Sequence, residues 1–349
     1  MDFRSPLPIN LSSSCAASLL EKTPIKSICF NITCRMYVAS QVMNLGTEAR
    51  FTSIVLFHRY LECYLHFVFE QIVLLSDDSD VNEDKQNMTD EGNEGIIVQE
   101  NNDNHNSKVI LILEQQRQQL GLVAAACLFL GCKIEEEPRK IRDVINLYSM
   151  LDFMGSRSSP NLSRPKSGQQ AKRHSTNDTA WSSRNDNVSH ITKNIEVIML
   201  DKPPLLDESY WELKQKIVQT EQGVLRLLQF DVSVSHPHRA VVIMLEELIS
   251  SDRIKECNSI LSEKYQCLLH GAWKRLNDAL FYPKALKQPL LPLACAAIFL
   301  SMEKRDYSAE KLWRKISGIC DKDFQIASDT LLEASNSIYE YSSYLSIGL

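Results

Sequence analysis

The sequence predicts an all-α protein built from two tandem five-helix domains, with long disordered loops inserted in the first domain. Long stretches are rich in Leu, Ala, Glu, Lys and Gln, and the 349 residues include only 11 Gly and 12 Pro. This composition favours helices over strands. Two apolar runs, one in each half of the chain, share one pattern of small and large residues, which indicates a duplicated domain. At about 150 residues per domain, the length also fits two domains.

The first domain is predicted over residues 34–232, after a Ser- and Pro-rich stretch, 1–33, that is predicted to be a disordered tail. The apolar spacing places helices at Cys34–Leu45, Glu48–Val68, Arg117–Glu136, Pro138–Leu151 and Asp207–Phe230. Pro138 is expected to open the fourth helix, because proline is well suited to the first turn.

Two insertions interrupt the first domain, at about 76–107 and 155–194. Residues 76–107 hold ten Asp or Glu and one Lys, whereas residues 155–194 hold seven Lys or Arg and two Asp. Such polar stretches cannot bury enough apolar surface to offset the entropy lost on ordering. Both are therefore predicted to be disordered loops.

The second domain is predicted over residues 233–349. Its helices are placed at His236–Leu248, Glu256–Leu280, Gln288–Lys304, Ser308–Gly318 and Asp321–Tyr344.

Each domain is predicted to surround one central buried helix. The two apolar runs match at an offset of 170, in the pairs Ala124/Ala294, Ala126/Ala296, Phe129/Phe299 and Leu130/Leu300. Small residues mixed with Leu and Phe on every side of a helix indicate burial on all faces.

Composition excludes several classes of function. The net charge of −6 and the pI of about 5.8 argue against a protein that coats nucleic acid. Ten cysteines without a CxxC pair indicate reduced thiols in an intracellular protein, and no zinc site. No apolar run reaches the ~20 residues that span a membrane. We find no catalytic motif and expect no enzyme activity, no cofactor, no metal and no small-molecule ligand.

Lys133 ends the first central helix, and Glu221 lies within an apolar stripe of the predicted fifth helix. In one interpretation, Glu221 pairs with Lys133 or Arg226 inside the domain, or reaches water, because an unpaired buried carboxylate is costly. In the other, Lys133 and Glu221 form two ends of a docking surface for a partner helix. A helix has free N–H groups at its start and free carbonyls at its end, which suit a carboxylate and an ammonium. The position matching Lys133 in the second half is Glu303.

Two sequence blocks resemble the cyclin box of transcription-type cyclins: AAACLFLGCKIEEEPRKIRDVI from Ala124 and IVQTEQGVLRLLQFDVSVSHPH from Ile217. Within the family, the longer run YWELKQKIVQTE…LRLLQFDVSVSHPHRAV from Tyr210 most resembles cyclin Q. The resemblance implies that 34–232 is a cyclin box and that 233–349 is a second, cyclin-box-like domain.

In cyclins, the matching lysine and glutamate hold the regulatory helix of a cyclin-dependent kinase. By position, these residues are Lys133 and Glu221. The resemblance also assigns apolar kinase-facing positions to Ile134, Leu225, Phe230 and Val232. Ile134 lies on the apolar side of its own helix as well, so a core role stays open for it.

The implied function is that of a regulatory subunit, not an enzyme, that binds and activates a cyclin-dependent kinase as a heterodimer in the nucleus. Its process would be transcription by RNA polymerase II or the cell cycle, with no direct contact to nucleic acid or membrane. One alternative is an adaptor like general transcription factor B, which bridges DNA and polymerase. The acidic balance and the lack of CxxC motifs oppose it. Another is a helical scaffold without a kinase, which would not require Lys133 and Glu221.

Overall fold

A computed structural model describes residues 23–80, 109–113, 115–150, 206–251, 258–302 and 318–345. These residues form helices and no strands, so the all-α prediction is confirmed. We label the helices α1 (Thr23–Val42), α2 (Thr47–Asp80), α3 (Arg117–Ile134), α4 (Ile141–Met150), α5 (Glu208–Leu227), α6 (Pro237–Ser251), α7 (Asn258–Ala279), α8 (Pro283–Leu286), α9 (Leu290–Phe299) and α10 (Asp321–Leu345).

The chain divides into two compact units, one made mainly of Cys34–Phe230 and the other mainly of Asp231–Ile347. Residues 26–33 of α1 group with the second unit. That each unit is a cyclin box stays a prediction.

Helix α1 corrects the predicted tail, because it begins at Thr23, inside the stretch 1–33. Ile25, Ile28, Cys29 and Ile32 are buried. Their spacing of three, four and seven residues puts them on one helical face. The Ser- and Pro-rich start of the chain hid this pattern, and residues 1–22 lie outside the described part.

Helix α3 is the centre of the first unit. It packs against α2, α4 and α5, and it is buried continuously from Leu120 to Leu128 and again from Leu130 to Cys132. This confirms the central helix predicted for the first half.

Helix α9 has the same role in the second unit. It packs against α6, α7 and α10, and Pro292–Phe299 are all buried. The repeat between the two apolar runs is therefore a repeat of buried helices.

A glycine faces a serine where each central helix meets a neighbour. In the first unit, Gly131 of α3 lies against Ser53 and backbone atoms of α2; in the second, Gly271 of α7 lies against Ser301, just after α9. Ser53 and Ser301 each donate their hydroxyl to the carbonyl four residues earlier, at 2.6 and 2.7 Å. The central helix supplies the glycine in one unit, whereas the serine follows the central helix in the other.

Helices α1, α3 and α5 end in the same backbone motif. The residue after each C-cap has a positive φ although it is not glycine: Asn44 (50°), Glu136 (56°) and Gln229 (53°). The next N–H bonds back to a carbonyl of the last turn: Leu45 to Ser40 at 2.9 Å, Glu137 to Cys132 at 2.9 Å and Phe230 to Leu225 at 2.8 Å. This is the Schellman arrangement, which satisfies carbonyls at a helix end.

Three predicted boundaries need correction. Helix α2 continues to Asp80, so the acidic insertion does not begin as a loop at 76. Helix α4 begins at Ile141, because Pro138 and Arg139 belong to a connector that bonds to the end of α1. Helix α9 ends at Phe299, before the predicted Lys304. The rest of the acidic insertion up to 107, the insertion 155–194, residues 308–317 of a predicted helix and Glu303 lie outside the described residues.

Candidate partner-binding site

The structure brings Lys133 and Glu221 into direct contact. Lys133 Nζ at the end of α3 lies 2.5 Å from Glu221 Oε1 in α5, across 88 residues of sequence. The Lys133 side chain is 46% exposed and that of Glu221 is 10% exposed. Lys133 Nζ also lies 4.0 Å from the centroid of the Phe129 ring, within the range of a cation–π interaction.

This pairing explains how α5 tolerates a carboxylate within its apolar stripe. Glu221 is buried, as are Ile217 and Val224 on the same face of the helix. A carboxylate buried without a partner would carry a large desolvation cost. The pairing within the domain is therefore present, and it is made with Lys133 rather than with Arg226.

The ion pair leaves room for further bonding by Lys133. An ammonium group has three donors, and nearly half of this side chain is exposed. Glu221, in contrast, is almost enclosed. Lys133 is the member of the pair that a partner can reach.

The predicted apolar positions surround this pair in sequence and differ in exposure. Ile134 directly follows Lys133, and Leu225 lies one helical turn after Glu221; both are half-buried. Val232 is half-buried and Phe230 is 67% exposed, and both follow the end of α5. Ile134 is thus neither a full core residue nor a free surface residue.

Phe230 is held in an unfavourable backbone conformation. Its φ is 62°, directly after Gln229 at 53°. A left-handed conformation costs a non-glycine residue about 1–2 kcal/mol, and such outliers concentrate at functional sites. The fold thus holds a large aromatic side chain exposed to solvent on a strained segment.

The tract after Lys133 has a role that the sequence interpretation missed. Glu135 Oε1 accepts a hydrogen bond from Thr52 Oγ1 at 2.5 Å, and Glu137 Oε2 accepts one from the Gly46 N–H at 2.8 Å. Arg139 donates to the carbonyls of Met43 and Asn44 at 3.1 and 2.8 Å. These bonds fasten the end of α3 to α1 and α2. The sequence feature that could have indicated this role is the tract of acidic and basic residues directly after the buried helix α3.

The thiol beside Lys133 is not a reactive group. Burial raises the pKa of Cys132 to about 11, although the positive charge of Arg139 opposes the shift. Burial also raises the pKa of Cys127 in the same helix. Both thiols are protonated at neutral pH, which fits a packing role.

Within the described ranges, no group of three His, Cys, Asp or Glu side chains is placed to hold a metal ion. The helices that the structure describes include none with the length and apolar character needed to cross a membrane.

Comparison with known proteins gives several cyclins. Cyclin-L1 of Danio rerio is 30% identical over 180 residues, which are 52% of this chain and 25% of that protein. Cyclin-L1 of Xenopus laevis is 27% identical over 225 residues, 63% of this chain and 35% of that protein. Cyclin-L2 of Mus musculus is 30% identical over 179 residues, 51% of this chain and 24% of that protein.

No protein-family model matches the chain. The chain also spans only about a quarter to a third of the length of these relatives. Over the part that they share, the similarities support a relationship between this chain and the cyclin family.

Proposed function

We propose that this chain is a cyclin-type regulatory subunit that binds and activates a cyclin-dependent kinase. The observation that carries the proposal is the Lys133–Glu221 pair, in which Lys133 is half exposed at the end of a buried helix and Glu221 is nearly enclosed. The resemblance to cyclins assigns kinase binding to these two positions. Similarity to L-type cyclins supports it. Action in the nucleus, in transcription by RNA polymerase II or in the cell cycle, belongs to the same proposal.

The contact between Lys133 and Glu221 refines how the pair would act. Atoms 2.5 Å apart do not meet opposite ends of a partner helix, since a helix advances about 1.5 Å per residue. Lys133 instead meets one end of the kinase helix, where free carbonyls attract an ammonium. Glu221 would hold Lys133 in place beside an apolar surface.

The apolar part of the surface would supply most of the binding energy. Aromatic residues are frequent among the few side chains that dominate protein interfaces. Phe230 is the most exposed large apolar side chain in the described part of the chain. Full burial of its side chain against the kinase would contribute roughly 1.5–3 kcal/mol. Burial of Leu225, Ile134 and Val232 would add to this.

Activation would follow from a shift in the population of kinase conformations. A subunit that binds one conformation more tightly raises the fraction of kinase in that conformation. The favoured state is the one in which the kinase's own Lys–Glu pair is assembled for phosphoryl transfer. This chain would contribute no reacting group.

The class of cyclin-dependent kinase that this chain binds is a separate proposal. The run from Tyr210 resembles cyclin Q, whereas the relatives described above are L-type cyclins. We propose that the kinase partner is one that transcription-type cyclins bind.

The test is recovery of kinases by the tagged full chain from its own cells, followed by mass spectrometry. A cyclin-dependent kinase should be recovered by the unmodified chain and lost with Lys133→Glu. Lys140→Glu is the matched control, because Lys140 is an exposed lysine shortly after Lys133. Recovery of no cyclin-dependent kinase, or equal recovery with a folded Lys133→Glu variant, would refute the proposal.

A further inference from the structure

A polar cleft of about 780 Å³ opens in the first unit between α2, the start of α3 and α5. It is separate from the kinase surface proposed above, since none of the six residues of that surface lines it. The lining is mostly amide and cationic. It consists of Tyr60, Gln115, Gln116, Gln118, Gln119, Leu122, Lys216, Gln219, Thr220, Gln222, Gly223, Val224 and Arg226.

The glutamines of this cleft have unused hydrogen-bonding capacity. Gln116 accepts a hydrogen bond from the Tyr64 hydroxyl. The other five form no side-chain hydrogen bond with any residue of the described ranges. Each amide offers two N–H donors and a carbonyl acceptor. An extended peptide presents backbone N–H and C=O groups in alternation, so these amides suit a peptide backbone.

The charges in the cleft select an anion. Among the described residues, its lining contains two cations, Lys216 and Arg226, and no Asp or Glu, although the chain has a net charge of −6. Lys216 Nζ lies 3.7 Å from Glu212 Oε2, in a pair that is more than half exposed on both sides. Such pairs are weak, so another carboxylate can replace Glu212. Arg226 has no ion-pair partner among the described residues.

The separation of the two cations sets a spacing for the ligand. They are ten positions apart along α5, which is a rise of about 15 Å at 1.5 Å per residue. An extended peptide covers that distance in about four to five residues. Side chains four residues apart on an extended peptide point to the same face. Two carboxylates at that spacing can therefore reach Lys216 and Arg226 together.

We propose that this cleft binds an extended acidic peptide segment of another protein, with two carboxylates four residues apart on Lys216 and Arg226 and the peptide backbone on the glutamines. Single-stranded nucleic acid fits less well. Its binding sites combine a strongly positive groove with several stacking aromatics, whereas the described lining of this cleft has two cations and one aromatic residue, Tyr60. The inference does not depend on the proposed kinase partner.

Fluorescence anisotropy on the full chain tests the proposal. The probe is a labelled nine-residue peptide of Ala and Ser with Glu at its third and seventh positions. Lys216→Gln and Arg226→Gln should each weaken binding about threefold to fivefold, and together about tenfold or more. Gln222→Glu should also weaken it, because it places a carboxylate in the lining. Binding should fall with added salt, and a probe with Gln in place of both Glu should bind more weakly.

Two matched controls locate the effect. Lys214→Gln removes one positive charge from the same helix. Lys214 Nζ lies 4.9 Å from the centroid of the Trp211 ring, and the residue is not part of the cleft lining. Lys133→Glu alters the kinase surface instead. Both should bind the probe like the unmodified chain, with circular dichroism confirming the fold of each variant.

Three results would overturn the proposal: no binding of the probe, unchanged binding by a folded Lys216→Gln/Arg226→Gln variant, or loss of binding with Lys133→Glu. Tighter binding of single-stranded oligodeoxythymidine through the same two cations would replace the peptide with nucleic acid. Because the kinase test depends on Lys133 and this one on Lys216 and Arg226, the two proposals fail separately.

Discussion

The carboxylate of Glu221, in α5, lies 2.5 Å from Nζ of Lys133, at the end of α3. One residue of the pair is nearly buried and the other is half exposed. Removal of Lys133 and removal of Glu221 should therefore affect the protein differently. The comparison distinguishes a pair that only stabilises the fold from a pair that also binds a partner.

Lys133→Met should lower the free energy of unfolding by about 1–3 kcal/mol, because it leaves the Glu221 carboxylate buried without its partner. Glu221→Gln should cost less, since an amide can still accept a hydrogen bond from Lys133. The double variant Lys133→Met/Glu221→Gln should recover part of the loss, because it no longer buries an unpaired carboxylate. Urea denaturation of all four proteins gives the coupling energy, and additive losses would contradict the pairing.

Phe230→Gly should have opposite effects on stability and on kinase binding. Glycine adopts a positive φ without strain, so relief at 62° should stabilise the fold by about 0.5–1 kcal/mol. Loss of the ring should weaken kinase binding by about 1–3 kcal/mol. Thermal denaturation and a binding titration with the recovered kinase measure the two effects.

Gln229→Gly is the control, because it relieves the same kind of strain at 53° and retains the ring. It should raise stability and leave binding unchanged. If Phe230→Gly binds the kinase normally, Phe230 is not a contact residue.

Gly131→Ala and Gly271→Ala should both destabilise the protein, by about 1–3 kcal/mol each, because neither position has room for a side-chain carbon. They should differ in rescue. A carbon added at 271 would meet the Ser301 side chain at 2.8 Å. A carbon added at 131 would meet the Ser53 hydroxyl and, in addition, backbone atoms of Ala49 and Ser53 at 3.0 Å.

Ser301→Gly should therefore restore most of the stability lost with Gly271→Ala. Ser53→Gly should restore a smaller part of that lost with Gly131→Ala, because the backbone contacts remain. Differential scanning calorimetry of the single and double variants makes the comparison. Equal rescue in both units would show that the backbone of α2 moves to accommodate the carbon.

Stability should decline in alkaline solution partly through Cys132. Its pKa is raised from 9.0 to about 11 by burial. The folded state then retains a proton that the unfolded state releases, so this contribution is complete below pH 9 and is lost as pH rises through about 11. Urea denaturation at pH 8 and pH 10 should show a smaller decline for Cys132→Ala than for the unmodified chain. Equal declines would mean that the Cys132 thiol is accessible to solvent.

The sequence carried strong signals where burial itself constrains composition. A run of small and large apolar residues on all faces, as in Ala124–Leu130, is compatible only with a central helix. Likewise, Glu221 within an apolar stripe suggested pairing with Lys133 or Arg226, or a path to water, and the structure shows the pairing with Lys133. Both inferences hold because exposing the apolar run to water, or burying the Glu221 carboxylate without a partner, would raise the free energy of the folded state.

Other features depend on contacts that leave no local trace. The Glu137 bond to Gly46 joins residues 91 apart in sequence, and the Arg139 bonds to α1 are as distant. No periodicity predicts such bonds, so Pro138 was assigned to a helix when it lies in the connector. The burial of α1 was missed for a different reason: Ser and Pro nearby outweighed the spacing of Ile25, Ile28 and Ile32.

If the two halves derive from one duplicated sequence, as the repeat predicts, the exchanged positions of glycine and serine restrict how they can have diverged. Gly131 and Ser301 occupy matching positions of the repeat, yet their partners, Ser53 and Gly271, are exchanged as well. With serine at both facing positions, two side chains would occupy a space that accommodates one. With glycine at both positions, only a small gap would remain. The route between the two arrangements that preserves folding at each mutational step therefore passes through the Gly–Gly intermediate. Exchange of the central segments between the halves would instead pair serine with serine in one chimera.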